Sequence, residues 1–376
     1  MRQMRWWLTG VMVMSAAVAQ AQIGVSDGGT PSYGYPIQVP PGIAGMAPKL
    51  SLGYGAGGVN GPEGYGWSVQ GISIISRCAA IPITDGVRRG VNYAASDKLC
   101  LDGQRLIQVD PSTGAVLGAS SQVNDAAGLS TGYREFRTEK DTYARVRAYG
   151  NANGDATGAS GPAYFKVWTK SGQIYEYGAS PAAVTHGNNA LINVQGKTIA
   201  AAWAAARISD TVGNYIDFMY QQRDVAWGSG PSTGPTPGHE WNIAEIQYTG
   251  TASQAPTNKV IFTYADRTSD RSEAYHQGTK NVSVALLQSI ATYINNSNVQ
   301  ANAPSLGADT NAIKVRTINL AYTNGAVTHR SLLNTITECA GPTASTCLPP
   351  TTFTYASGGN DTYVVASNFN LGSTSM

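Results

Sequence analysis

The sequence is poor in charged residues. They make up 13% of its 376 residues, about half the usual share for a globular protein. The 25 basic and 23 acidic residues leave a net charge of +2, and no basic run follows the first few residues. A nucleic-acid partner requires a basic patch that neutralises phosphates. The composition therefore argues against nucleic-acid binding.

Long apolar runs are also lacking. The longest, Trp6–Val18, is shorter than the ~20 residues that span a bilayer comfortably. It follows Arg2 and Arg5 and precedes a small-residue cleavage pattern at Ala21, which is typical of a secretory signal peptide. We expect a signal at 1–21, cleavage before Gln22, export by the Sec route to the medium or cell surface, and no stable membrane insertion. A retained N-terminal anchor is the alternative.

Cysteine is scarce and even in number: Cys78, Cys100, Cys339 and Cys347. An exported chain with an even count favours disulfides, and four cysteines allow three connectivities. We favour local pairing, Cys78 with Cys100 and Cys339 with Cys347, because each pair lies within one short stretch. The spacings do not fit the close pairs of a structural zinc site.

Helical patterns are rare, and most of the chain alternates with period two. Leu50, Leu52 and Tyr54 share one face of a strand, and Tyr164–Trp168 meets Gln173–Tyr177 across a short turn as a hairpin. The sequence predicts an all-β fold with little helix, a long antiparallel meander that curls into a shell- or sandwich-like sheet. The Ala-rich stretch Thr198–Arg207 fits either one helical turn or a strand.

Three stretches rich in Gly, Asn, Ser and Pro interrupt the strands: Gly150–Pro162, Trp227–Gly238 and Asn295–Asn311. Their composition predicts surface loops within one fold. Residues 22–376 are therefore expected to form one β domain that continues into further modules, and the loop at 228–238 is the most plausible internal boundary.

Two blocks of the sequence carry a resemblance to a known family. The first runs from a Pro-Pro-Gly turn through a P-x-L-x-L-x-Y strand and a G-x-G-W-S turn to a strand that ends in Arg; the second contains an Asp-Gly turn. Together they resemble the SpvB/TcB family, including members with Rhs-type extensions, and the similarity runs over 28–355. The residues that carry it are Pro40, Pro41, Gly42, Pro48, Leu50, Leu52, Tyr54, Gly64, Gly66, Trp67, Ser68, Arg77, Asp102, Gly103 and Arg105.

The resemblance implies a role in toxin delivery. In toxin complexes the similar region forms part of a hollow β-rich shell that holds a toxic polypeptide, and in SpvB-type proteins it precedes a separate ADP-ribosyltransferase domain. The paired glutamates of that enzyme are missing here. We therefore expect a non-catalytic structural and interaction domain without a cofactor, whose partners are other toxin-complex or Rhs-type polypeptides.

Several short motifs match enzyme or ligand sites, but the residues around them do not fit such sites. The glycines at 53, 55 and 58 match a dinucleotide fingerprint, but the residues that follow break a helix. Asn151, Asn153 and Asp155 alternate like calcium ligands, yet Ala156 and Pro162 occupy places that an EF-hand loop reserves for Gly and Glu.

Two carboxylate clusters and several tryptophans leave other functions open. Glycosidases require two opposed carboxylates, and the clusters here are Glu135, Glu139 and Asp141, then Asp266, Asp270 and Glu273. Charged groups at strand ends explain both clusters better. A secreted carbohydrate-binding adhesin is the alternative function, since tryptophans stack on sugars; the candidates are Trp168, Trp203, Trp227 and Trp241.

Overall fold

The computed structural model describes residues 22–25, 29–118, 132–226, 237–276, 279–295 and 311–355. The predicted signal peptide and its cleavage site, Ala21 included, lie outside these residues, as do most of the 228–238 and 295–311 loops. No helix in the described ranges is long and apolar enough to cross a membrane.

The all-β prediction is confirmed. The described residues hold two short helices, α1 (Pro82–Asp85) and α2 (Pro181–His186), and two 3₁₀ turns (Ile43–Gly45 and Ala152–Gly154). The strands are β1 (Gln22–Val25), β2 (Pro31–Ile37), β3 (Leu50–Gly55), β4 (Asn60–Gly61), β5 (Gly64–Tyr65), β6 (Trp67–Gln70), β7 (Ile74–Cys78), β8 (Lys98–Leu101), β9 (Gln104–Val109), β10 (Tyr133–Thr138), β11 (Arg145–Tyr149), β12 (Tyr164–Trp168), β13 (Ile174–Gly178), β14 (Leu191–Asn193), β15 (Ala200–Ser209), β16 (Tyr215–Ala226), β17 (Pro237–Gly250), β18 (Asn258–Asp266), β19 (Ser272–His276), β20 (Thr279–Ser283), β21 (Ala285–Ile294), β22 (Ile313–Asn324), β23 (Ser331–Ala340), β24 (Thr346–Cys347) and β25 (Thr351–Thr352).

Eight strands close into a ring, β7 through β13 and then β15, in which every neighbouring pair is antiparallel. The ring closes because β15 pairs with β13 over Ala205–Ser209 and with β7 over 202–204. The Ala-rich stretch is thus a strand, in which Ala200 and Ala205 share one hydrophobic core with the fully buried Trp203. Ala204 and Ala206 belong to a second hydrophobic core. Closure removes free strand edges, which otherwise invite pairing with other chains.

A long antiparallel sheet grows from the outside of the ring. Strand β16 pairs with β15, and the order continues through β17, β18, β21, β22 and β23. A four-stranded N-terminal sheet, β1, β2, β3 and β6 in that order, packs over the long sheet. Leu50, Leu52 and Trp67 from this sheet meet Phe218 and Ile318 of the long sheet in one hydrophobic cluster, so this part is a two-layer sandwich.

The ring has a hydrophobic core of its own, built on Phe136, Phe165, Tyr177 and Trp203. The disulfides follow the local pairing: Cys78 is bonded to Cys100 across β7 and β8, and Cys339 to Cys347 across β23 and β24.

One predicted surface loop is partly buried. Within Gly150–Pro162, Ala152 is fully buried and Ser160 almost so. The segment packs against the ring core beside Trp203, whose Nε1 donates to the Pro162 carbonyl at 2.7 Å. Its Gly-rich composition indicated a turn correctly but did not reveal this packing partner.

Candidate functional site

The motif residues fall into two separate structural groups. Those from Pro40 to Ser68 belong to the N-terminal sheet, its turns and the β4–β5 hairpin, whereas Arg77, Asp102, Gly103 and Arg105 belong to the ring. Among the first group Pro48, Leu50, Leu52, Gly64, Gly66 and Trp67 are buried, and Ser68 is exposed. The structure therefore gives these residues packing and turn roles, and it does not gather them into one cleft.

The Pro-Pro-Gly turn attaches the N-terminal sheet to the long sheet. The carbonyl of Pro40 accepts a hydrogen bond from the Tyr248 hydroxyl at 2.8 Å, and the carbonyl of Pro41 accepts one from Asn258 Nδ2 at 3.2 Å. A Cβ at Gly42 would lie 1.8 Å from the Met46 carbonyl oxygen, so only glycine fits there. The two prolines restrict the backbone of this turn, which holds the N-terminal sheet against the long sheet.

Trp67 lies at the centre of an aromatic cluster. It is 2% exposed and its ring lies 4.8 Å from Phe353 and 5.4 Å from Tyr54, centroid to centroid. Its Nε1 donates to the Tyr355 hydroxyl at 3.0 Å. The cluster joins the N-terminal sheet to residues that follow β25, close to 290 positions away.

Sequence reasoning missed a buried ionic cluster beneath the β4–β5 hairpin. Arg267, fully buried, donates to the carbonyl of Gly61, to Asn60 Oδ1 at 3.2 Å and to Asp270 Oδ2 at 2.7 Å. Burial raises the pKa of the neighbouring Glu63 to about 7, although its own backbone N–H and Arg267 act against the shift. The signal in the sequence was slight: a glutamate between a proline and a glycine, and a distant arginine with nothing to connect them.

Arg77 of β7 connects the ring strands to the loop that precedes β8. Its side chain, 3% exposed, donates to the carbonyls of Ala200 and Ala94 at 2.7 and 2.9 Å and pairs with Asp97 at 3.2 Å. Its guanidinium carbon also lies 5.9 Å from the Trp203 ring centroid. Burial lowers the pKa of Arg77, and Asp97 opposes that shift. Arg77 therefore has a structural role, in which it holds these elements of the ring together.

Asp102 and Gly103 form the two-residue turn between β8 and β9, and both have positive φ, 47° and 79°. Tight β-hairpins favour such an Asp-Gly pair because their turn type requires positive φ at both positions. The Asp102 carboxylate also accepts hydrogen bonds from Ser73 Oγ at 2.6 Å and the Ile74 amide at 2.8 Å. These contacts fix the start of β7.

Arg105 is a second buried arginine of the ring. It donates to the Ala79 carbonyl at 2.9 Å and pairs with Asp85 of α1. Burial acts to raise the pKa of Asp85, but the Ile81 amide and Arg105 together hold it below its usual value. The pair secures the helix to the ring wall.

Four of the six carboxylates in the two clusters are engaged in ion pairs. Glu135 pairs with Arg147 at 2.9 Å, Asp266 with Arg223 at 2.7 Å, Asp270 with Arg267 and Glu273 with Lys280 at 2.8 Å. Carboxylates held by cations in this way are poorly placed as a glycosidase pair, which must act on a bond between them.

The alternating Asn/Asp loop closes on itself. Asp155 Oδ1 accepts from the Thr157 amide at 2.9 Å, and its Oδ2 accepts from the Ser160 amide at 2.7 Å. Throughout the described ranges no three His, Cys, Asp or Glu side chains lie close enough together to hold a metal ion. The turn itself thus engages both oxygens of Asp155.

The tryptophans offered for sugar stacking have their rings in contact with protein. Trp203 is fully buried, the guanidinium of Arg145 lies 4.7 Å from the Trp168 ring, and Trp241 packs edge-on against Tyr220 at 5.9 Å. Trp227 lies outside the described residues. A sugar stacks on an open ring face, so this geometry weakens the adhesin alternative.

Comparison with known proteins decides the family. Residues 25–289 match the family described as SpvB, Salmonella virulence plasmid 65kDa B protein. The chain belongs to the SpvB family. Curated relatives named Mono(ADP-ribosyl)transferase SpvB, from Salmonella choleraesuis and Salmonella typhimurium among others, are 30% identical over 172 residues. This chain spans 22% of their length, and the match covers 44% of the chain.

Solved structures share the fold. The N-terminal domain of effector protein SpvB from Salmonella typhimurium strain LT2 matches with a TM-score of 0.54 and 19% identity, over 81% of this chain and 98% of that one. TcdB2-TccC3 matches with a TM-score of 0.61 and 17% identity, over 89% of this chain and 17% of that one. The Photorhabdus luminescens Tc holotoxin pore gives 0.62 and 16%, over 90% and 16%.

Proposed function

We propose that this chain is a non-catalytic structural and interaction domain of a secreted bacterial toxin-delivery protein, forming part of a β shell that encloses or docks a toxin polypeptide. The observation that carries the proposal is the fold match to nearly all of the SpvB N-terminal domain. The transferase named for the curated relatives is a property of far longer proteins, of which this chain spans 22%.

The environment of the buried charged residues supports a structural role better than a catalytic one. Buried charges such as Arg77, Arg105 and Arg267 are engaged with backbone carbonyls and carboxylates that join one element to the next. Such buried pairs are costly to break, so they favour one fixed arrangement of strands. A scaffold that must keep its shape around a second polypeptide requires that rigidity.

Export is part of the same proposal. A signal at 1–21, cleaved between Ala21 and Gln22, would bring the chain to an oxidising compartment, where both disulfides persist. N-terminal sequencing of the protein recovered from the culture medium tests this step. A mature N-terminus at Gln22 supports export, and full-length chain confined to the cell contradicts it.

The docking role is tested by size-exclusion chromatography with light scattering of the mature chain, mixed with a toxin-complex C component or with the polypeptide encoded downstream. We expect a complex, together with no consumption of NAD⁺ in the same sample. NAD⁺ turnover that Glu63→Gln abolishes would overturn the non-catalytic assignment. Failure to associate with either polypeptide would overturn the docking role, and binding on a glycan array would favour the adhesin.

A further inference from the structure

A row of charged side chains crosses the outer wall of the ring at right angles to the strands. Its members stand directly opposite one another in the strand register, so they share one face. In order from β10 to β16 the row reads Glu135, Arg147, Lys166, Glu176, Arg207 and Asp217. Arg137 and Arg145 lie two residues along their strands and therefore point the same way. We name these eight residues the charged row.

Each carboxylate of the row is bound by a cation beside it. Glu135 holds Arg147 at 2.9 Å and Arg137 at 2.8 Å. Glu176 holds Lys166 at 2.8 Å, and Asp217 holds Arg207 at 2.6 Å. The pairs fix the long basic side chains in place, which lowers the entropy that they would lose on meeting a partner.

The acidic side chains of the charged row are more deeply buried than the basic ones. The side chains of Glu135 and Asp217 are 4% and 2% exposed, while those of Arg137 and Lys166 are 38% and 32% exposed. Arg145 is exposed as well and has no carboxylate partner in the described part of the chain. The carboxylates thus form the floor, and a partner would meet guanidinium and ammonium groups.

The row also carries an excess of positive charge. Five cations, Arg137, Arg145, Arg147, Lys166 and Arg207, stand against three carboxylates, an excess of two on one wall. The whole chain of 376 residues has a net charge of only +2. The turns at the Arg145 end of these strands reduce the excess to one, because Glu139, Asp141 and Asp210 stand against Lys140 and Lys170.

Aromatic rings flank the row with their faces occupied. Tyr149 and Tyr164 stack on each other at 4.9 Å, Arg147 lies 4.0 Å from the Tyr133 ring and Arg145 lies 4.7 Å from Trp168. Sugars and nucleic-acid bases bind aromatic platforms through open ring faces. These contacts cover at least one face of each ring and so reduce the platform open to either ligand, whereas carboxylate groups need only the cations.

We propose that the charged row is a docking surface for an acidic polypeptide segment. Arg147 and Lys166 stand on adjacent strands, about 4.8 Å apart, so an acidic segment that crosses the strands meets successive cations. This deepens the proposed function by naming the face that docks and the chemistry of its partner, and it rests on that function.

The test uses the mature chain and a variant that combines Arg145→Glu with Lys166→Gln; Arg207 remains beside Glu176 in it. The control combines Lys49→Glu with Arg88→Gln, two exposed cations outside the row, for an equal change in charge. The probe is a fluorescent poly-glutamate peptide, followed by anisotropy at low and high salt. Circular dichroism and thermal melting establish that both variants fold.

We expect the row variant to bind the peptide at least about tenfold more weakly than wild type, and the control to change by less than about twofold, with binding weakened by salt because the row is solvent-accessible. Equal losses in the two variants, or no binding by the wild type, would overturn the proposal. Stronger retention of heparin or of phosphatidylserine vesicles than of the peptide would also overturn it, in favour of a glycan or membrane ligand.

The same variants distinguish this proposal from the proposed function. If the wild-type chain forms a complex with the C component and the row variant binds it equally well, the docking role stands and the charged row is not its surface. If neither protein forms a complex, the docking role itself fails.

Discussion

The ring and the sandwich both bury a hydrophobic core, but they assemble it from different parts of the chain. The ring core is drawn from residues 75–205, and its strands follow one another along the chain until β15 meets β7. The sandwich core instead joins Ile37 and Leu52 of the N-terminal sheet to Leu333 and Ile336 of the last long strand. Consecutive strands build most of the ring and only its closing pair, β7 with β15, is distant in sequence, whereas the sandwich core as a whole depends on early residues meeting late ones.

The difference assigns separate tasks to the two regions. The ring is stabilised by its own backbone pairing and offers an outer wall for contacts. The N-terminal sheet covers the apolar face of the long sheet, which would otherwise expose Phe218, Tyr248 and Phe262 to water. Changes of equal size in the two regions should therefore have different consequences.

The largest effects are expected from the two buried tryptophans. Trp203→Ala in the ring and Trp67→Ala in the sandwich should each destabilise the fold by about 3–5 kcal/mol, the usual cost of truncating a buried aromatic residue. Urea unfolding measures both, with Val212→Ala as the exposed control, for which a change within about 0.5 kcal/mol is expected.

Limited proteolysis then separates the two regions. Trp67→Ala should admit cleavage within 29–70 while residues 133–209 stay protected, because the ring has its own core. Equal cleavage of the ring in this variant would show that the two regions unfold as one unit.

Removing a buried arginine should cost nearly as much. Arg77→Met leaves Asp97 buried without its cation, and Arg267→Met does the same to Asp270 in the sandwich. Breaking a buried pair from one side costs about 3–5 kcal/mol. The comparison is Asp266→Ala, which removes an exposed partner of Arg223 and should cost at most about 1 kcal/mol. Similar small losses in all three would refute the fastening role of these arginines.

The sandwich should also respond to pH through Glu63. Its pKa is about 7 in the fold against 4.5 in the unfolded chain, so the folded state binds the proton more tightly. The stabilisation is complete below about pH 4.5 and is lost as the pH rises through 7, amounting to about 3 kcal/mol. Glu63→Gln should remove this part of the pH dependence and leave a variant more stable than wild type at pH 8. Urea unfolding at pH 5 and pH 8 measures it, and an unchanged slope would refute the assignment.

The smallest expected difference in stability is between the losses caused by removing each disulfide. Their cysteines are 22 and 8 residues apart, so the chain-entropy relation gives about 3 kcal/mol for the ring bond and about 2.5 kcal/mol for the bond at Cys339. Paired Cys→Ser variants, followed by thermal unfolding, should rank in that order. A larger loss from the Cys339→Ser and Cys347→Ser variant would reverse it.

Local features were the predictable part of this fold. The β12–β13 hairpin and the Asp102-Gly103 turn follow from side-chain alternation and turn chemistry. Ring closure was not predictable, since nothing in the local sequence of β7 specifies β15 as its partner. The Glu63–Arg267 cluster was missed for the same reason, because only the folded chain brings these distant residues together.

Hydroxyl-radical footprinting of the mature chain, with and without its partner polypeptide, tests most directly whether the ring wall docks a partner. We predict that oxidation of Tyr149, Tyr164 and Trp168 falls when the partner binds, while that of exposed Tyr275 in β19 is unchanged. Protection confined to the N-terminal sheet, or a complex that leaves the ring wall fully reactive, would contradict it.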